Sequence, residues 1–532
     1  MAQKTVDEFA AGAVAPPAGP ARQNLTRLAA LNTLASGLDY AARIVVGLLL
    51  NPLLLRYLGS TQYGIWQLLE RSVGYLATAD GRPLQALKWV VANKQHSSDD
   101  QAKRQDVGSA VIIWLLFLPV LMAAGLALVW FSVPLTKAAG GLAAAVQWTT
   151  ALLILNFLLT SLVLLPDVVL RGMNLSYKRM GVRAGLVLLS GMLTASFLWA
   201  GGRLVSMAAA QLLITVLSAV IYWRIARRYV PWFGIARPTW AMVRSFFGYS
   251  AWLFATILTS RVVKMGDVII LGLVLIPDTV TTYVLTNYPI TMAVSVTTLV
   301  TTSVLPGLGG LLGQAQYEKV KGVRAELMSG TWLLATAVGA AILVWNRSFI
   351  TLWVGAQYYA GSLATLLMVL SFIQLMLLRN DDNLIDISLN VRRKAVLSGI
   401  SAVVIVALSL WLTDLWGIVG LCLGFLIGQS VMTVAYPYLV GKLLDLPLRT
   451  QIFSSGRPLL ITIILLGLAY YLAANVVVAN WFSLGLYTLV TLSVALAAGW
   501  FIGLPAAMRR RLWQRTQPLL RVVRQLATKA KG

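Results

Sequence analysis

LLLRYLGSTQYGIWQLLE (residues 53–70) joins two apolar runs through a short Gly-Ser turn, and LGLVLIPDTVTTYVLTNY (residues 271–288) makes the same kind of passage later in the chain. The two are about 220 residues apart, a spacing at which transporters repeat themselves. In this register Tyr63 falls on Tyr283 and Gln67 on Asn287, and each passage is followed by a basic polar connector, KQHSSDDQAKRQD (94–106) and GQAQYEKVKGVRAEL (313–327). The repeat predicts two six-span lobes of parallel orientation, followed by a terminal pair of spans.

Composition fixes the solvent of that fold. The chain has 532 residues, 58% of them hydrophobic and 11% charged, with a mean hydropathy of +0.78. A soluble domain carries roughly 25% charged residues, so a single soluble core is excluded and an integral membrane protein is indicated. By the rule that a bilayer needs about 20 apolar residues per helix, the chain holds about 14 spans. They run from residues 29–55 and 61–80 to 457–475 and 482–503, with Pro52, Pro166, Pro289 and Pro306 as kink points. The fold class expected is therefore all-α: a polytopic membrane protein with two pseudo-symmetric six-helix lobes around a central cavity and a C-terminal helix pair. The divisions are a disordered tail over residues 1–26, an N-lobe over 27–230, a C-lobe over 231–443, terminal spans over 444–505 and a basic amphipathic tail over 506–532.

The net charge of +25 would suit nucleic acid, but its placement argues otherwise. With the N-terminus inside, the outer loops hold only Arg56, Lys137, Arg203 and Arg347, and the remaining loop bases fall on the inner side. That is the positive-inside pattern, with both termini cytoplasmic and no nucleic-acid partner. The tail PLLRVVRQLATKAKG interleaves leucine and valine with bases, as an amphipathic helix on an anionic leaflet does. A single cysteine, Cys422, and a single histidine, His96, exclude a disulfide framework and give no metal cluster. No Walker motif or nucleophile elbow occurs, and no cofactor is expected.

Charges inside the apolar runs are the candidates for function. A charged side chain at mid-bilayer costs roughly 2.5–3.5 kcal/mol on insertion scales. Yet Asp39 and Arg43 lie on span one, Glu70 and Arg71 on span two, Arg261, Lys264 and Asp267 on span seven, and Arg379, Asp381, Asp382 and Asp386 on span ten. Asp39 and Arg43 share one helical face, as do Gln67, Glu70, Arg71 and Gly74. Each lobe thus turns a polar stripe away from lipid, toward a wet cavity between lobes. Arginine suits a phosphate group there because its planar fork donates two parallel bonds and keeps its charge when desolvated. Arg43, Arg71, Arg261, Lys264 and Arg379 are accordingly candidate ligands for an anionic head group. Asp39, Glu70, Asp267, Asp382 and Asp386 have two candidate roles: holding the bases in place, or binding a driving H⁺ or Na⁺. Trp114, Trp130, Trp345 and Trp353 near span ends read as interface anchors.

The run LLLRYLGSTQYGIW, followed by YLATADGRPLQALKW, resembles the N-terminal signature of the polysaccharide transporter family, the O-antigen-flippase type within the multidrug, oligosaccharidyl-lipid and polysaccharide exporter superfamily. The string GDVIILGLVLIPDTVTTYV is similar to that family's passage from span seven to span eight, with Asp267 and Tyr283 at the recurring positions. The resemblance implies a V-shaped pair of bundles that flips an undecaprenyl-pyrophosphate-linked oligosaccharide, a polysaccharide repeat unit, across the bacterial inner membrane by alternating access. It implies that the protein is no enzyme, works as a monomer among membrane lipid, and hands its cargo to polysaccharide polymerase or export machinery. Related lipid II flippases place arginines on spans one, two and eight around the diphosphate. Arg43 and Arg71 match by position, whereas span eight has no basic residue in its middle and span seven carries Arg261 and Lys264 instead.

Two rival functions remain in view. A multidrug cation antiporter on the same fold would want acids and aromatics, but on spans one, two and seven Arg43, Arg71, Arg261 and Lys264 outnumber Asp39, Glu70 and Asp267. A membrane glycosyltransferase or ligase would want acidic or histidine groups on a substantial outer loop. The longest outer loop, WNRSFITLWVGAQYYAGS, has none.

Overall fold

All regular structure among the described residues is helical, as hydrocarbon requires, because an open strand edge in lipid leaves backbone groups without partners. The computed structural model describes residues 21–76, 83–95, 97–138, 140–179, 181–244, 266–302, 305–387 and 391–514. Residues 515–532 of the expected amphipathic tail, His96, Arg261 and Lys264 lie outside the described residues. The first helix begins at Ala21, inside the segment expected to be a disordered tail.

Among the described residues ten helices are long and apolar enough to cross a bilayer, and two of them are hairpins. In Ala21–Leu76, Gly59 adopts φ 75° and ψ 173°, a non-helical conformation open to glycine because it lacks a Cβ. The chain reverses there. Tyr63 Oη donates to Asn51 Oδ1 at 3.1 Å, although along one straight helix these residues would stand about 18 Å apart. Span one is thus residues 21–58 and span two residues 60–76. Val391–Leu444 reverses at Trp416 and Gly417, the glycine at φ 56° and ψ −132°. A Cβ on Gly420 would lie 1.8 Å from the Leu412 carbonyl oxygen, one on Gly424 2.5 Å from Ser409 Oγ, and one on Gly428 2.3 Å from Ile405 Cγ1. As the glycines advance by one turn their partners step back by about one, so spans eleven and twelve run antiparallel at backbone contact. This is the small-residue packing that joins helices where lipid removes the hydrophobic driving force.

The remaining passes are less regular. Span seven is described only from residue 266, and span eight is broken into Pro277–Thr286 and Tyr288–Thr302 at Asn287, next to Pro289. The helix Leu142–Val163 likewise gives way to Leu165–Gly172 beside Pro166. With the hairpins resolved into arms, the described helices follow the course of about 14 spans expected from length and hydropathy. A further helix, Pro83–Asn93, follows span two and buries Ala86, Leu87 and Val91 against Leu165–Gly172. The terminal pair, Leu448–Asn475 and Trp481–Ala498, packs on span nine, Tyr317–Trp353. Trp332 Nε1 donates to Thr462 Oγ1 at 2.8 Å and Trp345 Nε1 to Thr491 Oγ1 at 2.9 Å.

Those contacts correct one expectation. Trp114, Trp345 and Trp353 are buried packing residues, and only Trp130 of the four stands exposed. Proximity to a span end does not reveal which helix face a tryptophan occupies. Apolar side chains such as Trp199 and Phe482 are instead left exposed at helix ends.

The lobes meet in a seam at the Gly59 end. Thr61 Oγ1 donates to Asp278 Oδ2 at 2.9 Å, Ser60 Oγ also donates to that carboxylate, and Thr281 Oγ1 donates to the Ser60 carbonyl at 2.7 Å. Lys137 Nζ donates to the carbonyls of Val274 and Leu275 at 3.0 Å each, closing the C-terminal end of span seven. Trp353 Nε1 reaches the Leu48 carbonyl at 2.7 Å. Backbones approach so closely that a Cβ on Gly64 would sit 2.0 Å from the Pro277 carbonyl oxygen.

At the opposite, basic end, ion pairs tie the helices of each lobe. Asp381 is 1% exposed and accepts both Nε and Nη2 of Arg324, at 2.6 and 2.7 Å. Asp167, 2% exposed, takes Arg171 and Arg179 at 2.6 Å each.

Two outcomes follow from this packing. Gly64→Val is expected to cost about 1–3 kcal/mol by overpacking, read as earlier loss of monomer on heating in detergent. Gly37→Ala, with nothing within 4 Å, is expected not to lower that temperature, and equal losses would refute the close approach. Asp381→Ala is expected to cost about 3–5 kcal/mol because it strands the Arg324 charge. The double variant Arg324→Met with Asp381→Leu is expected to recover most of that loss, and no recovery would count against a buried pair.

Candidate functional site

The Gly59 hairpin sets the geometry of the site. Because spans one and two run antiparallel about that turn, Arg43 comes opposite Arg71, Gly47 opposite Gln67 and Asn51 opposite Tyr63. All six line one cavity of about 290 Å³ between the lobes. Its far wall comes from spans seven and eight, with Asp267, Tyr283 and Asn287. Tyr63 with Tyr283 and Gln67 with Asn287, the pairs matched by the internal repeat, thus face each other across one space. Gly47 is small for a reason: a Cβ there would lie 2.0 Å from Tyr288 Oη.

The charge of this cavity is uneven. Arg43 is exposed, its guanidinium 5.8 Å from the Tyr40 ring centre, and Arg71 is half-buried. Among the described residues neither has a carboxylate within ion-pairing distance. Asp267 accepts a hydrogen bond from Tyr283 Oη at 2.9 Å, and its Oδ1 is buried with no partner. Two guanidinium groups therefore face one carboxylate in a space walled by amides and phenols. Such a wall can bind an anion of more than one charge through forked N–H donors.

Other sequence candidates lie elsewhere. Asp39 turns to Arg183 Nε of span five, Val182–Trp199, at 3.9 Å rather than to Arg43, so the shared helical face does not make an ion pair. Glu70 leaves the central cavity and accepts Gln211 Nε2 at 2.7 Å inside the first lobe. Arg379 donates to Thr298 of span eight and lies within electrostatic reach of Asp382 and Tyr40, outside the lining of the central cavity. Asp382 and Asp386 of span ten, Ser362–Ile387, both hold Lys394 at the start of span eleven, at 2.6 and 2.5 Å. Of the candidate bases, the structure brings Arg43 and Arg71 together.

Several groups escaped the sequence reading. Asp167 was hidden at the end of a long apolar run, although its neighbour Pro166 marks the break that carries it inward. Asn156 and Gln211, lone amides in ILNFLL and AQLLIT, were visible as polar interruptions but drew no notice beside the charges. At the basic end, Lys88 of Pro83–Asn93 is pushed below the usual ammonium range, first by burial and then by the nearby Arg171 charge.

Solved structures of two transporter types share this fold. A lipid II flippase, MurJ in an inward closed conformation, superposes with TM-score 0.62 at 12% identity, covering 87% of this chain and 97% of its own. An inward-facing multidrug resistance MATE transporter of the MOP superfamily gives 0.55 at 13%, covering 76% and 97%. A MATE in complex with MaD3S gives 0.53 at 12%, covering 79% and 96%. No curated protein sequence matches the chain. A family model described as polysaccharide biosynthesis protein matches residues 31–311, which is more than half the chain and includes both passages of the internal repeat. The chain is a multi-pass membrane protein that belongs to the polysaccharide biosynthesis protein family.

Proposed function

We propose that the protein is a flippase that moves an oligosaccharide linked to a polyprenyl diphosphate, of the undecaprenyl type, from the inner to the outer leaflet of a bacterial inner membrane. The observation that carries this reading is the pair Arg43 and Arg71. They stand on antiparallel arms, have no carboxylate partner among the described residues, and open into a cavity between two lobes. Membrane-depth cations without acid partners are costly, and a diphosphate supplies the missing charge. The family match supports a polysaccharide cargo, and the shared fold with MurJ supports a lipid-linked one.

The seam at the Gly59 end and the cavity behind it fit alternating access, in which the lobes part at one end while closing at the other. Asp267, with an unpartnered buried oxygen beside the arginines, is the carboxylate we assign to coupling by H⁺ or Na⁺. The basic loops support a cytoplasmic position for both termini, and on this reading the flipped unit passes from the outer leaflet to polymerase or export machinery. A multidrug cation antiporter fits less well, because the described cavity presents more guanidinium than carboxylate.

The test is translocation in proteoliposomes. Each bidentate, charge-assisted contact is worth about 1.5–3 kcal/mol, so Arg43→Ala and Arg71→Ala are each expected to slow flipping of a diphosphate-linked oligosaccharide by about tenfold or more, with insertion and abundance unchanged. In cells the same variants leave lipid-linked oligosaccharide on the inner leaflet. Wild-type rates in both variants, or transport of a cationic dye in place of the lipid, would overturn the reading.

A further inference from the structure

A second cavity, of about 340 Å³, lies inside the first lobe among span two, span four (Leu142–Val163) and span six (Leu204–Tyr229). It shares two wall residues, Gln67 and Arg71, with the central cavity. Its own walls add Glu70, Asn156 and Gln211 on one side and Leu153 and Phe157 on the other. Amides and a carboxylate from separate helices are gathered here inside an apolar bundle, where a polar group without a partner is costly. Only part of that cost is met within the chain. Gln211 Nε2 serves one oxygen of Glu70, and Asn156 Oδ1 is buried with no partner.

The occupant that satisfies such walls brings hydroxyl or N–H donors for Asn156 and Glu70, an oxygen to accept from Arg71, and an apolar face for Phe157. A bare cation matches the oxygens but meets the Arg71 guanidinium. A pyranose ring matches all of them. Position argues the same way. In a lipid diphosphate the first sugar is bonded directly to the distal phosphate, so its site must adjoin the phosphate site, and Arg71 walls both.

We propose that this first-lobe cavity binds the sugar residue attached to the diphosphate, a neutral hexose or N-acetylhexosamine. Arg71 bridges sugar and phosphate, and Asn156, Gln211 and Glu70 read the ring's hydroxyl or acetamido groups. The inference rests on the flippase reading and adds to it a specificity site distinct from the charge site.

The experiment compares two lipids on the full chain in nanodiscs: undecaprenyl diphosphate, and the same lipid carrying one N-acetylglucosamine. The wild type is expected to bind the sugar-bearing lipid about tenfold more tightly. Asn156→Leu and Gln211→Leu are expected to erase that difference, whereas Arg71→Ala weakens both lipids. A second measurement needs no diphosphate. Alkylation of a Phe157→Cys variant, in a chain whose native Cys422 is buried, is expected to slow several-fold with soluble N-acetylglucosamine and not with sodium chloride. Equal wild-type affinity for the two lipids, or alkylation slowed by sodium and not by sugar, overturns the sugar subsite alone. A wild type that binds neither lipid overturns the flippase reading itself.

Discussion

A guanidinium group at membrane depth needs a counter-charge, water, or both, and the architecture follows from meeting that need for Arg43 and Arg71. Lipid supplies neither, and isolated charges there are costly. The chain answers by folding spans one and two back on each other at Gly59, so that both side chains open into one space instead of into hydrocarbon. Spans seven and eight then complete the wall. The seam of Thr61, Asp278, Thr281 and Gly64 seals one end of that space through backbone contact that larger residues would prevent.

The other buried charges obey the same rule in a different way. Buried Asp167 and Asp381 each find a base within the protein, as do the part-buried Asp382 and the exposed Asp386, and they sit at the basic end, where helices meet their connectors. A buried pair of this kind adds little net stability but penalises loss of either partner. The division is therefore informative. Paired charges tie the helices within each lobe, and on the proposed reading the guanidinium groups without acid partners are where a ligand's charge belongs.

Much of this was legible in the sequence. The period-220 match of Tyr63 with Tyr283 and Gln67 with Asn287 predicted two lobes, and those four residues share one cavity. Apolar run lengths located the spans, because a bilayer fixes helix length, and Pro166 and Pro289 marked true interruptions. Partner choice was not legible. Helical spacing puts Asp39 beside Arg43, but whether they pair depends on what the neighbouring span offers, and Arg183 of span five offered more. For the same reason Glu70 turned inward to Gln211. Those contacts are between helices, and periodicity within one helix carries no information about them. The tryptophans went astray on that point too, since Trp345 and Trp353 are placed by Thr491 and Leu48 on other helices.

Arg43 and Arg71 should make the space between the lobes both wet and cationic, and that is open to measurement. It is tested most directly by the rate at which a cysteine at Gln67, a position that lines both cavities, reacts with water-soluble thiol reagents of opposite charge. A cleft lined by one sign of charge concentrates the opposite ion by about tenfold or more. The negatively charged reagent is expected to modify a Gln67→Cys variant at least tenfold faster than the positively charged one, with the preference lost in Arg43→Ala and Arg71→Ala backgrounds. No modification by either reagent, or faster modification by the positive one, would contradict it.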